Sequence, residues 1–293
     1  MRSSRGLLAD QRASCHQPRI QVLSDLHLEV GQQYLSFDFP VSAPWLVLAG
    51  DIGRLVDYEA YLHFLNRQTE RYDRVFLVLG NHEFYGLDHQ AGIEKARELV
   101  LESRLGGKVV LLHRHQWDDP EPNSSLTILG CTLWSHISPH AREIVRHKVK
   151  DFSNIEEWSL DRHIEQHETD LGWLHERLQE LAITAPERHV LVVTHHAPAM
   201  KGTSAPRNED NPWSSAYATD LLRGEEAGQL WRQVKVWVFG HTHYCTDFVV
   251  SGVRLLANQR GYVLLGSSAH EREMAGDRKI GMHEFDPAFC IDV

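Results

Sequence analysis

Trp45-Leu46-Val47-Leu48-Ala49-Gly50-Asp51 is an unbroken run of five apolar residues that ends in a glycine and a carboxylate. A short continuous run of this kind suits a strand that is buried on both faces, and such strands belong to α/β folds with helices on the faces of the sheet. Gly50 indicates a turn at the end of the strand. The run therefore predicts a central strand with Asp51 at its carboxyl end.

Four further apolar runs have the same form, and polar residues follow each of them. The runs are residues 20–23, 75–79, 190–193 and 234–239. The clusters after them are Asp25-Leu26-His27, Gly80-Asn81-His82-Glu83, His195-His196 and Gly240-His241-Thr242-His243. One such cluster would be weak evidence for a site. Five in order predict a two-metal site at the ends of several strands.

The segments between these runs alternate between helical and strand patterns. Residues 57–72 place apolar side chains at helical spacing with Asp57 as the N-cap, which predicts a right-handed βαβ unit. The other expected elements are helices at 93–102 and 171–181 and strands at 109–112, 126–130, 248–250, 253–257 and 262–265.

Two segments depart from this alternation. Residues 132–170 are rich in tryptophan and histidine and predict a helical or irregular cap insertion, and residues 197–216 have the composition of a long loop. Because specificity usually lies in loops on a rigid scaffold, we expect both segments to form walls of the substrate pocket. The clusters span most of the chain, so we predict one domain over residues 19–293 after a disordered extension at 1–18.

The composition limits the class of protein. A formal net charge of -10 and a pI near 6.0 disfavour a nucleic-acid partner, which would require a basic face. The four cysteines are far apart, as expected for reduced thiols. No run is apolar and long enough for a membrane span, and residues 1–18 lack the apolar stretch of a secretory signal. We predict a cytoplasmic protein without a membrane partner.

The residue types in the clusters indicate which ions they bind. Carboxylate, amide and imidazole ligands suit Mn, Fe or Zn better than a thiolate site or an all-oxygen calcium site does. Asp25 and His27 are separated by one residue, so this pair can bind one ion, and His241 and His243 have the same spacing. Asp51 has two carboxylate oxygens and is suited to bridge two ions. Only six of the 20 histidines lie in the clusters, and the others are expected to be surface or structural residues.

The ordered set of clusters resembles the calcineurin-like metallophosphoesterase superfamily, and in particular its small bacterial-type phosphohydrolases. The superfamily pattern is DxH, GDxx, GNH(D/E), a later His and GHxH. It appears here as DLH, GDIG, GNHE, THHAP and GHTH, over about residues 20–243. The resemblance implies a four-layer α/β/β/α sandwich with two mixed β-sheets.

The resemblance also implies a role for each matched residue. Asp25, His27 and His243 would bind one transition metal ion, Asn81, His195 and His241 would bind the other, and Asp51 would bridge them. His82 would stabilise or protonate the leaving oxygen. Two cations about 3.5–4 Å apart lower the pKa of a shared water, so that a bridging hydroxide attacks phosphorus in line.

Further residues are expected near the site. Glu83 is expected to orient a histidine or the backbone rather than act as a base. Candidate substrate contacts are Arg260, in a turn that resembles an Asn-Pro-x-Gly-Tyr motif, Asp151, in a step that resembles Asn-Asp-aromatic, and His196, the neighbour of a proposed ligand. A surface role for Arg260 is an open alternative. Trp134, Trp158 and Trp213 are expected to pack in the core or a lid, with stacking on a nucleobase as the alternative.

These observations predict a dinuclear metal-dependent hydrolase of phosphate esters that acts on a small phosphorylated compound. Whether it is a monoesterase or a diesterase is left open, as are the metals, the substrate and the oligomeric state. One alternative is a nuclease or cyclic-nucleotide phosphodiesterase on the same scaffold. Another is a non-catalytic interaction module that has kept only the fold.

Overall fold

The computed structural model describes residues 18–122, 124–224, 227–263 and 284–293. Eleven strands lie in this part of the chain: β1 (Arg19–Leu23), β2 (Trp45–Ala49), β3 (Arg74–Val78), β4 (Val109–Leu111), β5 (His115–Asp118), β6 (Leu126–Cys131), β7 (His189–Thr194), β8 (Val234–Val238), β9 (Thr246–Val250), β10 (Val253–Ala257) and β11 (Cys290–Asp292). The α-helices described are α1 (Tyr58–Thr69), α2 (His89–Val100), α3 (Arg142–Lys148), α4 (Asp151–Asn154), α5 (Leu160–Thr184) and α6 (Ala227–Leu230).

The strands form two mixed sheets. The first has the order β11-β1-β2-β3-β4, in which β11 is antiparallel to β1 and the other neighbours are parallel. The second has the order β5-β6-β7-β8-β10-β9, with antiparallel pairs at both edges and parallel strands between them. All five strands that precede polar clusters are therefore interior strands with at least one parallel neighbour, and only β1 among them also has an antiparallel one.

Alternate side chains of the central strands enter different cores. Leu46 and Leu48 of β2 pack with residues of α1 and α2 on the outer face of the first sheet. Val47 and Ala49 face the second sheet and share a core with residues of β7 and β8. The outer face of the second sheet packs against α5. The layers are thus helices, sheet, sheet and helix, which confirms the predicted four-layer sandwich and explains why these strands are apolar throughout.

Several predicted elements differ at their ends. The helix expected at 57–72 is α1, and its N-cap residue Asp57 instead accepts hydrogen bonds from Tyr34 and Arg54. The helix expected at 93–102 begins earlier, at His89, because the side chain of Asp88 caps it by accepting from the N–H of Ala91. The polar edge strand β5 and the terminal strand β11 were not predicted, because neither has an apolar run.

The segment after β6 is more regular than expected. Helices α3 and α4 lie in it, and α5 begins at Leu160, within the predicted insertion, and runs for 25 residues. The amphipathic helix expected at 171–181 is therefore only the second half of α5. Ser159 caps this helix by accepting from the N–H of Arg162, a signal that the sequence reading did not use.

Some predictions fall partly outside the described residues. The N-terminal extension at 1–18 does so except for its last residue, and the strand expected at 262–265 does so for its second half. Tyr262 and Val263 are described and are not in a strand. Among the described helices, none combines the length and the apolar composition needed to cross a membrane.

Candidate metal centre and active site

The polar clusters that follow β1, β2, β3, β7 and β8 meet at one edge of the sandwich. Backbone hydrogen bonds join the first two clusters. The N–H of Asp25 donates to the carbonyl of Gly50 at 3.0 Å, and the N–H of His27 donates to the carbonyl of Asp51 at 2.9 Å. The clusters are therefore fixed to one another by the main chain as well as by their side chains.

The backbone at this edge has an uncommon conformation. Asp25, His27, Asp51, His241 and His243 all have a positive φ, between 47° and 72°. Non-glycine residues rarely adopt this left-handed region, although Asp and His adopt it more readily than most. Each such residue costs on the order of 1–3 kcal/mol when the surrounding structure imposes it. The strain coincides with the five residues because their side chains are turned toward a common centre.

Two glycines permit the backbone to pass close to the carboxylates of Asp25 and Asp51. A Cβ atom on Gly80 would lie 2.2 Å from Oδ1 of Asp51, and one on Gly240 would lie 2.6 Å from Oδ2 of Asp25. Any larger residue at either position would displace a proposed ligand. Gly80 and Gly240 are thus required by packing around the carboxylates.

The first group of side chains consists of Asp25, His27 and His243, whose ligand atoms lie within 4.8 Å of one another. Nε2 of His27 lies 2.8 Å from Nε2 of His243, and the latter lies 3.5 Å from Oδ1 of Asp25. The carboxylate of Asp25 is fully buried and accepts hydrogen bonds from Ser24 Oγ and the N–H of His241. Its position is therefore set before any ion binds.

The second group consists of Asp51, His195 and His241, again within 4.8 Å, and Asn81 adjoins it. Oδ1 of Asn81 lies 3.0 Å from Nε2 of His195, which lies 3.4 Å from Oδ1 of Asp51. Nδ1 of His195 is 3.0 Å from the carbonyl oxygen of Ala49. Because a carbonyl can only accept, Nδ1 carries the hydrogen and Nε2 faces the centre.

The carboxylate of Asp51 lies between the two groups. Its Oδ1 faces His195, whereas its Oδ2 lies 3.7 Å from Nε2 of His27. Burial alone would raise the pKa of Asp51, but His195 and His82 hold it well below its usual range. The ionised carboxylate can thus contribute one oxygen to each group.

The donor atoms at this centre fit cations. Nε2 of His27 and Nε2 of His243 point at each other, and Nε2 of His241 is buried without a hydrogen-bond partner in the described part of the chain. Burial also lowers the pKa of His241 well below its usual range, so its ring is neutral. Burial opposes protonation of His195 too, but Asp51 outweighs it and raises that pKa to about 10. The nitrogen and oxygen atoms that converge on Nε2 of His195 can be satisfied either by a proton on that nitrogen or by a metal ion. Nitrogen and oxygen donors of this type suit transition metals.

His82 lies at the open side of the centre. Nδ1 of its ring lies 2.9 Å from Oε1 of Glu29, and Nε2 lies 3.0 Å from the hydroxyl of Tyr262. Burial would lower the pKa of His82, but Asp51 and Glu29 raise it to about 9. Nearby cations would lower it again. The ring also stacks on Tyr85, with 4.2 Å between the centroids.

Glu83 is fully buried and contacts the backbone instead of a histidine. Its Oε2 accepts from the N–H groups of Asp51 and Gly80, and its Oε1 accepts from the N–H of Ile52 and the hydroxyl of Tyr61. One carboxylate thus joins the turns after β2 and β3. Burial and the nearby Asp51 raise the pKa of Glu83 to about 7.

The predicted cap and the centre form one pocket of about 230 Å³. Its walls include Lys148 at the end of α3, Lys150 between the helices and Asp151 at the start of α4, together with Tyr85 and Tyr217. The predicted loop at 197–216 contributes to a second cavity beside it, lined in part by Met200 and Trp213. The cap segment therefore lines the pocket at the centre, whereas the loop at 197–216 lines the neighbouring cavity, and its role as a wall of the substrate pocket stays a prediction.

A family model of the calcineurin-like phosphoesterases matches residues 18–245, which include all five clusters. The chain belongs to the calcineurin-like phosphoesterases. It is a metal-dependent phosphoesterase, as the resemblance in the sequence predicted.

Individual relatives of this phosphoesterase are distant. A crystal structure of phosphopantetheinyl hydrolase from Mycobacterium tuberculosis matches it with a TM-score of 0.61 and 17% sequence identity, over 85% of this chain and 91% of that one. An uncharacterised protein of Acanthamoeba polyphaga mimivirus is 24% identical over 292 residues, which cover 94% of this chain and 96% of the relative. The structural match shows a shared fold.

The three predicted substrate contacts of this phosphoesterase have different surroundings. Asp151 is buried, and its Oδ1 accepts from Nδ2 of Asn81 and from the hydroxyl of Tyr85, both at 2.8 Å. It therefore orients a proposed metal ligand, and its Oδ2 has no hydrogen-bond partner among the described residues. His196 is also buried, and its ring packs against that of His241 at a centroid distance of 4.1 Å.

Arg260 is engaged away from the centre of the phosphoesterase. Its guanidinium donates to the carbonyl of Leu26 at 2.9 Å and to Oε1 of Gln33 at 2.7 Å, and it lies 4.2 Å from the ring centroid of Phe37. These contacts favour the structural alternative for Arg260. They lend no support to a contact with the substrate phosphate, which stays a prediction.

The sequence reading missed Glu29, Tyr85 and Tyr262 as residues of the site. Glu29 follows Asp25 and His27 by the same two-residue step, and this was the one signal that could have identified it. Tyr262 ends the turn that resembles an Asn-Pro-x-Gly-Tyr motif, and that motif was its signal. Tyr85 gave no signal, because its contact with Asp151 joins residues far apart in the chain. The tryptophans agree better with the sequence reading: Trp134 and Trp158 are buried in the core.

Proposed function

We propose that this chain hydrolyses esters of small phosphorylated compounds and that it does so with two transition metal ions, Mn, Fe or Zn. Asp25, His27 and His243 bind one ion, and Asn81, His195 and His241 bind the other. Asp51 bridges them. When bound, two such ions supply Lewis acidity and an activated water for attack on phosphorus.

The position of Asp51 is the observation that supports this proposal most strongly. Its two carboxylate oxygens face separate groups of imidazole nitrogens, at 3.7 Å from His27 and 3.4 Å from His195. A structural carboxylate would be expected to accept hydrogen bonds from N–H donors on both oxygens. Here Oδ1 accepts from the backbone N–H of His82, and the other atoms opposite the carboxylate are imidazole Nε2 atoms, which suit a cation between them and the carboxylate.

The other side chains of this site position the substrate and donate one proton to the leaving group. The N–H of His82 donates to Oδ1 of Asp51, and its ring is held by Glu29 and Tyr262 at the mouth of the pocket. His82 gives its Nε2 proton to the leaving oxygen of the ester as the bond to phosphorus breaks. Lys148 and Lys150 line the same pocket and attract the negatively charged phosphoryl group.

Metal analysis of the purified protein tests the first part of the proposal. We expect two transition metal ions per chain, and we expect Asp51→Asn to lose at least one of them because a neutral amide bridges two cations poorly. Asp161→Asn is the matched control, since the side chain of Asp161 is 84 % exposed and pairs with Arg142, and neither residue is among the proposed ligands. A metal-free wild-type protein that gains no ester hydrolysis with manganese would favour the non-catalytic alternative.

Substrate panels test the second part. Nitrophenyl phosphate and bis(nitrophenyl) phosphate distinguish a monoesterase from a diesterase, and cyclic nucleotides and single-stranded DNA test the two rival activities. We expect small esters to be hydrolysed and DNA to be left intact, because the net charge of -10 opposes binding of a polyanion. Cleavage of DNA in preference to small esters would contradict the proposal. The single domain over 19–293 and the cytoplasmic location stay predictions.

A further inference from the structure

A second cavity of about 240 Å³ lies directly beside the metal-binding pocket. The two spaces share Tyr217 and Thr242 in their walls. The ring of Tyr217 stacks on that of His241, with 4.7 Å between the centroids and 28° between the planes. One face of this tyrosine therefore covers a proposed metal ligand, and the residue also lines the neighbouring cavity.

The two spaces differ in charge. Lys148, Lys150 and Asp151 line the metal-binding pocket, whereas no charged side chain is among the described residues that line the second cavity. Its walls carry the large apolar surfaces of Met200 and Trp213 and the neutral amides of Asn208 and Asn211. Small-molecule sites usually combine apolar walls with a few polar groups in this way.

The cavity wall is fixed relative to the metal centre. The N–H of Ala197, two residues after His195, donates to the carbonyl of Tyr217 at 3.2 Å, and the carbonyl of Ala197 accepts from the N–H of Thr219 at 3.1 Å. Ala216 is buried against Val145 of α3. The loop therefore has a defined position before a ligand arrives.

We infer that the second cavity binds the esterified group of the substrate and that this group is uncharged and carries an aromatic ring or a similar flat apolar face. The inference rests on the proposed function, because the phosphoryl group must lie at the metal centre for its ester group to reach the cavity past Tyr217 and Thr242, which line both spaces. Trp213 and Met200 contact the flat face, and Asn208 and Asn211 bond to polar atoms at its rim. A carboxylate on the same group is disfavoured because none of the described residues that line the cavity is charged, and Lys148, whose Nζ lies 5.9 Å from the ring centroid of Trp213, is not among them.

Binding of phosphonates tests the inference without dependence on leaving-group chemistry. Titration calorimetry on the metal-loaded protein compares methylphosphonate, benzylphosphonate and 4-carboxybenzylphosphonate. We expect benzylphosphonate to bind at least tenfold more tightly than methylphosphonate, and the carboxylate to abolish this advantage. Equal affinities for the first two ligands would overturn the inference. Failure to hydrolyse any ester would instead count against the proposed function, so the two failures are distinguishable.

Ser204 offers a variant that fills the cavity. It is half-buried and lines the wall, so Ser204→Trp should remove the advantage of the benzyl group and leave methylphosphonate binding within twofold of wild type. Ser204→Ala is the matched control and should retain the advantage. An unchanged preference in a folded Ser204→Trp protein would contradict the assignment of the cavity.

A charge reversal keeps the inference falsifiable if Ser204→Trp fails to fold. Asn208 is exposed at the rim, so Asn208→Lys adds a cation there with little effect on the core. We expect it to increase the affinity for 4-carboxybenzylphosphonate at least fivefold and to leave the affinity for methylphosphonate unchanged. A gain in affinity cannot arise from misfolding. No gain would show that the ring does not enter this cavity.

Discussion

Glu29 accepts a hydrogen bond from His82, with 2.9 Å between Oε1 of the carboxylate and Nδ1 of the imidazole. The same oxygen lies 3.2 Å from Nδ1 of His27. Because a carboxylate only accepts, both rings carry a hydrogen on Nδ1, and Nε2 of each is turned toward the site. One carboxylate therefore orients a proposed metal ligand and the proposed proton donor together.

Glu29→Gln keeps the size of this side chain and removes its charge. Burial lowers the pKa of His82, whereas the negative charges of Asp51 and, to a smaller extent, Glu29 raise it. Because the variant lacks the charge of Glu29, the pKa of His82 should be lower in it than in wild type. Since the protonated ring is the active form, activity on an ester with a poor leaving group should be lost at a lower pH than in wild type. A pH–rate profile with an alkyl phosphate measures the shift, and Glu70→Gln on the surface is the control. An unshifted alkaline limb would contradict the role of Glu29.

His82→Ala separates proton donation from metal binding. The variant should keep its metal ions, because His82 is in neither of the two ligand groups that we propose. Loss of a positioned general acid reduces the rate by roughly 10²–10⁴-fold, and we expect this for poor leaving groups. Esters of 4-nitrophenol should lose much less, since that leaving group needs no proton. Loss of both metals in this variant would mean that His82 is a ligand.

Asp151→Ala tests the support of Asn81. Its carboxylate accepts from Nδ2 of Asn81 at 2.8 Å, so without it the amide keeps only the longer 3.2 Å bond to the hydroxyl of Tyr85 and the direction of its Oδ1 is less well fixed. Removal of such a supporting contact costs about 10–100-fold in metal affinity. Tyr85→Phe removes the hydroxyl that donates to Asp151 and accepts from Asn81 at 3.2 Å, and it should cost less, because Asp151 then still accepts from the amide at 2.8 Å. Competition with a metal chelator measures both, and equal affinity in Asp151→Ala and wild type would refute this role.

Gly80→Ala should abolish metal binding in a folded protein. The new Cβ would lie 2.2 Å from Oδ1 of Asp51, so the bridging carboxylate must move. Gly172→Ala is the matched control, because a Cβ at that helical position meets nothing within 4 Å. Alanine should stabilise the helix there by about 1 kcal/mol and leave activity unchanged. Metal analysis and thermal unfolding of both variants check these outcomes.

The stability of the protein should fall in mild acid. Burial lowers the pKa of His163 from 6.5 to about 3. The unfolded chain therefore takes up a proton below about pH 6.5 while the folded protein does not, and stability falls as the pH drops through that window. The slope from this residue is about 1.4 kcal/mol per pH unit. Urea unfolding between about pH 7 and pH 5 should show a smaller decrease for His163→Gln, and an equal decrease would contradict this assignment.

Much of the fold follows from local sequence. The unbroken apolar runs of β2 and β3 could be recognised because every residue of a strand between two layers is buried, whichever way its side chain points. The edge strands β5 and β11 could not be recognised, because their residues are partly exposed and carry no such run. The start of α5 was misplaced because its first half buries His163 and His167, which count as polar in a hydrophobic pattern.

The sequence by itself determined which side chains could bind metals, since the clusters stand directly after strands whose carboxyl ends must meet at one edge. Only the tertiary structure decided what supports them. Three residues act through contacts with residues up to 180 positions away: Glu29, Asp151 and Tyr262. The guanidinium of Arg260 donates to the carbonyl of Leu26 instead of facing the site. Hydrogen bonds between distant segments depend on how the two sheets pack, and no local pattern records that packing.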